Sequence, residues 1–432
     1  MPTQIFIAGK NWKLSLAELT AYFQARQESF EATFVSKEFF IFNLKQKMNA
    51  IDDLGGTIKI GDAQTEFPVE VAQAAFLEKN KQAQAQITEQ LTSSGIVGEI
   101  EKNAPDEKAF FGVSVYCADK QFRQLSGQIQ RTVGSIIKKE LSSLGKKSQF
   151  MGFGKERREA QLSHVEVLKK NLIESKGEAL FCIGKEKAWV ATTTAVHNPF
   201  EFQKRDVYKP RQRIIYGMPP RLARIMLNLS HCRESKVLLD PFCGVGTVLQ
   251  EALLAKAEAV GLDINTWCVK AATENLEWIR QEYDLPNAKF RVIVGNVGNL
   301  TSKVGFETVD CIVTEPDLGP PLKQIPTTPY AHKVIDKLDP LFSGFVREAF
   351  NVLRTGGRLV LVTPYIVARS GDIVTMNIAQ KAREAGFTVV APFGKGMFGD
   401  SAFLEKNLSE LTSLVESDER HKIGREIHIF QK

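Results

Sequence analysis

The chain is predicted to be an α/β protein whose C-terminal half is a parallel sheet. Three observations predict this. From Lys236 onward, short apolar runs alternate with glycine turns and amphipathic stretches, the pattern of strand–helix–strand units. The turn Asp240-Pro241-Phe242-Cys243-Gly244-Val245-Gly246-Thr247 lies between a buried apolar run and a helical stretch, where an open α/β sheet holds ligands. The length of 432 residues asks for several domains, at roughly 100–200 residues each.

The N-terminal unit, residues 1–97, reads as a small α/β sandwich. Ile5 to Ala8 is an apolar strand. Ser15 and Glu18, three apart, read as a capping box, and a helical pattern runs through Leu16, Leu19, Tyr22 and Phe23. Phe39 to Leu44 is a strand, and Leu54-Gly55-Gly56-Thr57 turns into another ending at Gly61. Val69 to Leu91 is one long helix, closed by Ser93-Ser94-Gly95.

A polar stretch, Glu99 to Lys108, leads into the middle unit, residues 98–200. Ala109 to Tyr116 alternates like a strand. Asp119 to Leu144 is a long amphipathic helix with Phe122, Leu125, Ile129, Val133, Ile136 and Leu144 on one face. Ser163 and Glu166 open a second helix running to Lys176-Gly177, and Ala179–Ile183 with Lys187–Thr194 form a hairpin. The final unit, residues 201–432, begins with a linker over 201–216. Its strands are Val237–Leu239, Ala259–Leu262, Phe290–Val294, Thr308–Val313, Arg358–Thr363, Phe387–Ala391 and an antiparallel last strand, Glu426–Phe430. Its helices are Val248–Ala255, Trp267–Glu282, Leu338–Leu353 and Ala379–Ala385.

Composition excludes several classes. With 43% hydrophobic and 25% charged residues, the chain is neither disordered, collagenous nor a coiled coil. No run approaches the roughly 18 apolar residues of a membrane helix, and Met1 to Lys13 lacks the marks of a signal peptide. Six cysteines without a CxxC pair read as reduced thiols of a cytoplasmic protein. Six histidines without ligand spacing give no metal site, and Glu156 after Gly152-Phe153-Gly154-Lys155 rules out a nucleoside-triphosphate loop. The net charge is +6, yet residues 119–170 alone hold 12 Lys/Arg against 5 Asp/Glu. One segment therefore carries the whole excess and points to an anionic partner. Ten of its cations are Lys120, Arg123, Arg131, Lys138 and Lys139 on the helix, and Lys146, Lys147, Lys155, Arg157 and Arg158 in the loop. Such a face attracts phosphates without reading sequence, unless it is only a solvated helix surface. Phe150 and Phe153 between them could stack on a base or belong to a core.

Gly244 and Gly246 let backbone approach a ligand closely, and Asp263, 23 residues after Asp240, ends the next strand. A carboxylate there can accept from both hydroxyls of a ribose. The turn lacks the third glycine of a pyrophosphate cradle, so an adenosine without phosphates fits better, and S-adenosylmethionine is the candidate. Asn296, after the third strand, could bond the adenine amine or simply close a turn. Cys232 and Cys243 have no accompanying base and read as packed thiols.

The fourth strand ends in Thr314-Glu315-Pro316-Asp317-Leu318-Gly319-Pro320-Pro321. Here the C-terminal half resembles the amino-methylating class I methyltransferases, Rossmann-like enzymes whose motif at this point is Asp/Asn-Pro-Pro-aromatic. The resemblance implies that Glu315 and the Pro316 carbonyl accept the two hydrogens of the target amine. Asp317 stands in place of the second proline and Leu318 in place of the aromatic; Tyr330 and Tyr365 are candidates for the missing ring. Arg205-Asp206-Val207-Tyr208-Lys209-Pro210-Arg211-Gln212-Arg213 and the Gly217–Leu229 stretch are similar to the segment before the catalytic domain of THUMP-containing tRNA guanine-N2-methyltransferases. That family implies a ferredoxin-like N-terminal domain, a THUMP-like RNA-binding domain, S-adenosylmethionine as cofactor and tRNA as partner. It also leaves room for a small activator subunit.

The expected site residues are therefore Glu315, Pro316 and Asp317 for catalysis. Asp240, Pro241, Phe242, Cys243, Gly244, Gly246, Thr247, Asp263, Ile264 and Asn296 are expected to bind the cofactor. Lys138, Lys139, Lys146, Lys147, Arg157, Arg158, Arg205, Lys209, Arg211 and Arg213 are expected to bind RNA. The competing expectation is an RNA-binding protein or partner subunit with a degenerate, non-catalytic methyltransferase fold, motivated by the Glu-Pro-Asp-Leu loop.

Overall fold

The computed structural model describes the chain except residues 105–107, 153–159, 213–216, 395–396, 399–407 and 419–421. The expected RNA-binding residues Arg157, Arg158 and Arg213, with Lys155 and Phe153, lie outside the described residues.

The N-terminal half runs β1 (Thr3–Ala8), α1 (Trp12–Ala25), β2 (Phe30–Val35), β3 (Phe39–Leu44), β4 (Thr57–Pro68), α2 (Val69–Ala72), α3 (Lys81–Ser93) and α4 (Ile96–Asn103). It continues with β5 (Lys108–Cys117), α5 (Lys120–Ser143), β6 (Lys147–Phe150), α6 (His164–Lys169), β7 (Glu178–Ile183) and β8 (Lys187–Val196). All eight strands form one sheet in the order β2-β3-β1-β4-β8-β7-β5-β6. The long β4 is the joint: Gln4 to Ala8 of β1 pair with its first half, and β8 pairs along its whole length. The boundary expected at 97/98 falls inside α4, and the helical segment from Val69 to Ile100 shares a core with α5 and β5.

Several elements differ from expectation for local reasons. Helix α1 is capped not by Ser15 but by Asn11, whose side chain accepts from the Leu14 N–H. Ser15 and Glu18 then fall inside the helix and turn toward the Gly55-Gly56 loop. Strand β2 was not expected. The single helix expected over 69–91 is broken: a π-helical turn ends at Leu77, Lys79 adopts a left-handed φ of 58°, and Asn80 caps α3. On α5 the buried row is Ile129, Val133, Ile137 and Leu141, and Leu144 is exposed. The register of a 3.6-residue helix carries the apolar stripe from Val133 to Ile137, leaving Ile136 at its margin. The capping box at Ser163 and Glu166 is present as expected.

The C-terminal half runs α7 (Pro199–Val207), α8 (Pro220–Leu229), β9 (Val237–Asp240), α9 (Thr247–Leu254), β10 (Glu258–Asp263), α10 (Thr266–Glu282), β11 (Phe290–Val294), α11 (Leu300–Val304), β12 (Val309–Thr314), α12 (Thr328–Val352), β13 (Leu353–Val367), β14 (Ile373–Thr375), α13 (Ile378–Glu384), β15 (Thr388–Val389), β16 (Ser413–Glu416) and β17 (Ile423–Gln431). The sheet order is β11-β10-β9-β12-β13-β17-β15; β9 to β13 are parallel and β17 runs antiparallel to β13. Chain direction across the sheet reverses between β9 and β12, which opens a crevice at their carboxyl ends. Helix α12 starts ten residues earlier than expected and carries Pro340 within it.

The two halves share one core. Phe6, Leu16, Leu19 and Phe23 of the first pack in the same cluster as Leu222, Met226 and Leu249 of the second. Polar contacts fix the junction. Glu18, fully buried, accepts from the Gly55 and Gly56 N–H groups at 2.7 Å each and from Asn228 Nδ2 at 2.8 Å. Burial pushes its carboxyl up to about 7, against the lowering by those donors. Arg221 Nε donates to the Gly55 carbonyl at 2.7 Å, and a Cβ at Gly55 would lie 2.1 Å from the Arg221 carbonyl oxygen, so glycine is required there. Among the described residues no helix is long and apolar enough to cross a membrane.

Candidate active site

The site is built where β9 and β12 separate. Parallel pairing sets Asp240 beside Gly261 and places Asp263 at the end of β10. Asp240 is 3% exposed; its Oδ1 accepts from Thr314 Oγ1 at 2.7 Å and from the Phe242 N–H at 3.2 Å. This bond spans the crevice and ties the glycine turn to the acidic loop. Burial drives the Asp240 carboxyl up to about 7, the two donors working against it and the charges of Asp263 and Glu315 reinforcing it.

The turn itself is held from several sides. The Cys243 N–H donates to the Leu262 carbonyl at 3.1 Å, and the Gly246 N–H to the Cys243 carbonyl at 2.8 Å. Gly244 and Gly246 adopt φ of 50° and 88°, a region that favours glycine. A Cβ on Gly246 would lie 3.2 Å from that of Ala272. Asp263 fixes the turn through Oδ2, which accepts from the Gly244 N–H at 2.9 Å, while Oδ1 accepts from the Asn265 N–H at 2.8 Å. Pro241 is buried, and Phe242 packs edge-on against Phe345 at 5.3 Å. Cys243 is buried, and burial raises its thiol well above the ordinary range, which fits a packed, inert group.

Around the same mouth apolar side chains are left open. Ile264 is 70% exposed, and Trp267 and Val294 are about half exposed. Apolar faces beside a carboxylate at a strand end suit a flat, partly apolar ring such as adenine. Asn296 uses its side-chain oxygen to accept from the Gly298 N–H at 2.8 Å, so it closes its own turn. The residues present therefore fit an adenosine-containing group: two glycines without side chains at the turn, Asp263 at the strand end and an apolar lining.

Thr314 leads directly into Glu315, and here the structure adds a residue that spacing could not show. Arg425, on β17, grips the Glu315 carboxylate with two bonds, Nε to Oε2 at 2.5 Å and Nη2 to Oε1 at 3.2 Å. Its Nη1 donates to Glu416 Oε2 at 3.1 Å. The three charged groups are 110 and 9 residues apart in sequence, so no local pattern announces them. Pro316 is buried. Asp317 Oδ1 accepts from the Gly319 N–H at 2.9 Å, which lets it shape its own loop. Leu318 packs against the shared core. Tyr330 is about half exposed, and Tyr365 pairs across β13 and β17 with Gly424.

Three expected RNA-binding residues are placed elsewhere by the fold. Arg205 is 4% exposed and donates from Nε to Glu251 Oε1 at 2.6 Å, with Arg224 Nε on the other oxygen at 2.9 Å. Lys209 is 7% exposed and donates to Thr247 Oγ1 at 3.2 Å, beneath the glycine turn. Burial lowers the Lys209 ammonium below its usual range. Both correct the expectation of RNA-facing cations: α7 packs on α8 and α9, which turns Arg205 inward, and Lys209, just past the end of α7, reaches the first residue of α9. Arg211 is exposed but ion-paired with Glu274, and its backbone is clamped by Asn275, which also bonds the Val245 carbonyl. This segment thus braces the glycine turn.

Lys138, Lys139 and Lys147 are exposed and Lys146 half-buried, gathered at the C-terminal end of α5 and the edge strand β6. Phe150 serves the core, 5.3 Å from Phe111. A separate cavity of about 840 Å³ opens at the other, amino ends of β9 and β12, between Arg26, Arg233, Lys256 and Arg354. It lies away from the crevice where an α/β sheet binds its ligand.

Comparison with known proteins agrees with this architecture. Residues 211–381 match the UPF0020 family, described as an RMKL-like methyltransferase domain. The tRNA (guanine(10)-N2)-dimethyltransferase of Methanothermobacter thermautotrophicus is 34% identical over 149 residues, which cover 34% of this chain and 39% of that protein. The protein of the same name from Pyrococcus abyssi is 29% identical over 208 residues, covering 48% of this chain and 54% of the relative. The chain thus matches from about two fifths to about half of the length of these relatives. The crystal structure of TrmN from Thermus thermophilus superposes with a TM-score of 0.53 at 14% identity, covering 100% of this chain and 99% of that one, which is a likeness of fold. Through residues 211–381, the chain is similar to the RMKL-like methyltransferase domain.

Proposed function

We propose that this protein is an S-adenosylmethionine-dependent methyltransferase acting on the N2 amine of a guanosine in tRNA. The observation that carries the reading is the crevice between β9 and β12. There the Asp240–Thr314 bond sets the acidic Glu315-Pro316 loop beside a glycine turn shaped for adenosine. The relatives named for guanine-N2 dimethylation support the choice of base.

In this reading Asp263 holds the ribose hydroxyls, Gly244 and Gly246 admit the ligand close to the backbone, and Ile264 with Val294 cover the adenine. Bound S-adenosylmethionine supplies a methyl group whose bond to sulfur breaks with the electron pair left on sulfur. The Glu315 carboxylate and the Pro316 carbonyl accept the two hydrogens of the target amine. That aims the nitrogen lone pair along the line of attack, so that catalysis is mostly positioning. The bond formed joins nitrogen to the methyl carbon, and the proton the nitrogen then gives up passes to water. Residues 98–200 act as a THUMP-like RNA-binding domain, with Lys138, Lys139, Lys146 and Lys147 on phosphates. Residues 1–97 are its ferredoxin-like neighbour and 201–432 the catalytic domain, and the target base must leave its stack to reach Glu315. The work would be done in the cytoplasm.

The test is incubation with labelled S-adenosylmethionine and bulk unmodified tRNA, followed by digestion to nucleosides. Labelled N2-methylguanosine is expected, and Glu315→Ala should lose about 100-fold in rate. Cofactor binding without any labelled nucleoside would overturn the reading. That outcome would favour an RNA-binding protein with a degenerate fold, a reading supported by the packing of Leu318 where the family has a stacking ring.

A further inference from the structure

Glutamate at position 315 is one methylene longer than the family's Asp or Asn, and a longer side chain holds an acceptor less firmly. The structure supplies a restraint. Arg425 is 8% exposed and lies on β17 opposite Pro364 of β13 and Glu416 of β16. Its planar fork meets both oxygens of Glu315, and its remaining nitrogen is tied to Glu416. A guanidinium held on two sides cannot swing, so the plane of the Glu315 carboxylate is fixed with it.

We propose that Arg425 is a positioning residue for the reaction: it fixes the Glu315 carboxylate as the acceptor for the target amine, with Glu416 holding Arg425 in turn. The inference rests on the function proposed above. An ionised carboxylate offers about four lone-pair directions, and the fork takes one on each oxygen. The direction left on each oxygen points away from the fork, and one of them can accept an N–H of the target amine. A carboxylate fixed beforehand need not reorganise as positive charge develops on the attacking nitrogen. Two carboxylates against one guanidinium also leave the trio with a net negative charge toward that nitrogen.

The test uses the full chain and unmodified tRNA. Arg425→Gln should lower kcat by about 100-fold. Its dissociation constants for S-adenosylmethionine and for tRNA, measured by calorimetry and filter binding, should stay within about two-fold. Glu315→Ala/Arg425→Gln should be no slower than the slower single variant, because the two residues act as one unit. Wild-type kcat in Arg425→Gln, while Glu315→Ala is slow, overturns the positioning role and leaves the proposed function standing. Wild-type kcat in Glu315→Ala removes the acceptor role itself, and with it this inference. If Arg425→Gln fails to bind cofactor, Arg425→Lys decides: it keeps the charge without the fork. A loss of about 10-fold in its kcat supports the proposal, and an unchanged kcat overturns it.

Discussion

Replacing Arg205 by methionine separates two roles for the linker motif. The guanidinium is 4% exposed, and its partner Glu251 is fully buried between Arg205 and Arg224. The substitution removes a 2.6 Å charge-assisted bond to Glu251 and the stacking of Arg205 over Phe202 at 4.3 Å. It keeps most of the aliphatic packing. A hydrogen bond to a charged group contributes about 1.5–3 kcal/mol and a desolvated cation–π contact about 1–2, so the loss should be about 3 kcal/mol. Glu251→Gln should cost more, about 3–5 kcal/mol, because it strands two buried guanidinium groups. Urea unfolding followed by tryptophan fluorescence reads the stability. Titration of tRNA at several salt concentrations reads the phosphate contacts. The structure expects lower stability and an unchanged slope of log affinity against log salt. A slope reduced by about 1 with stability intact would mean that Arg205 meets a phosphate, and would refute its placement in the core.

Reversing Lys138, Lys139, Lys146 and Lys147 to Glu should weaken tRNA binding and reduce the salt slope by up to about 4, with cofactor affinity unchanged; an unaltered slope would remove this edge from the RNA surface. Gly246→Ala forces a side chain into a left-handed φ of 88° beside Ala272. Calorimetry should show S-adenosylmethionine affinity reduced by about 10-fold, from a strain of about 1–2 kcal/mol. Glu18 gives a pH signature. Its folded carboxyl stands near 7 against an ordinary 4.5, so between those values the folded chain keeps a proton that the unfolded chain has lost. Stability from this group is thus present at low pH and falls as pH rises through that window. Between pH 4.5 and 8 the wild type should lose about 3 kcal/mol more than Glu18→Gln, read by urea unfolding; parallel profiles would refute the assignment.

What the amino-acid sequence determined by itself was whatever neighbours along the chain enforce. The strand–turn–helix at Val237–Thr247 is local: apolar residues bury the strand, and two glycines permit the turn. Asp263 follows because a parallel unit of this length brings the next strand end alongside. The capping box at Ser163 and the solvent face of α5 are equally local. The tertiary structure alone decided which charges face water and which face each other. Arg205 and Lys209 looked like surface cations, yet the packing of α7 and the segment after it on α8 and α9 encloses them, because buried Glu251 and Thr247 offer partners from elsewhere in the chain. Ser15 and Glu18 looked like a helix start, yet Asn11 caps first and frees Glu18 to receive the Gly55-Gly56 turn and Asn228. Arg425 met Glu315 only because an antiparallel last strand returns beside β13. Sequence spacing encodes periodicity within an element; the partner of a buried charge is set by which elements the fold brings together.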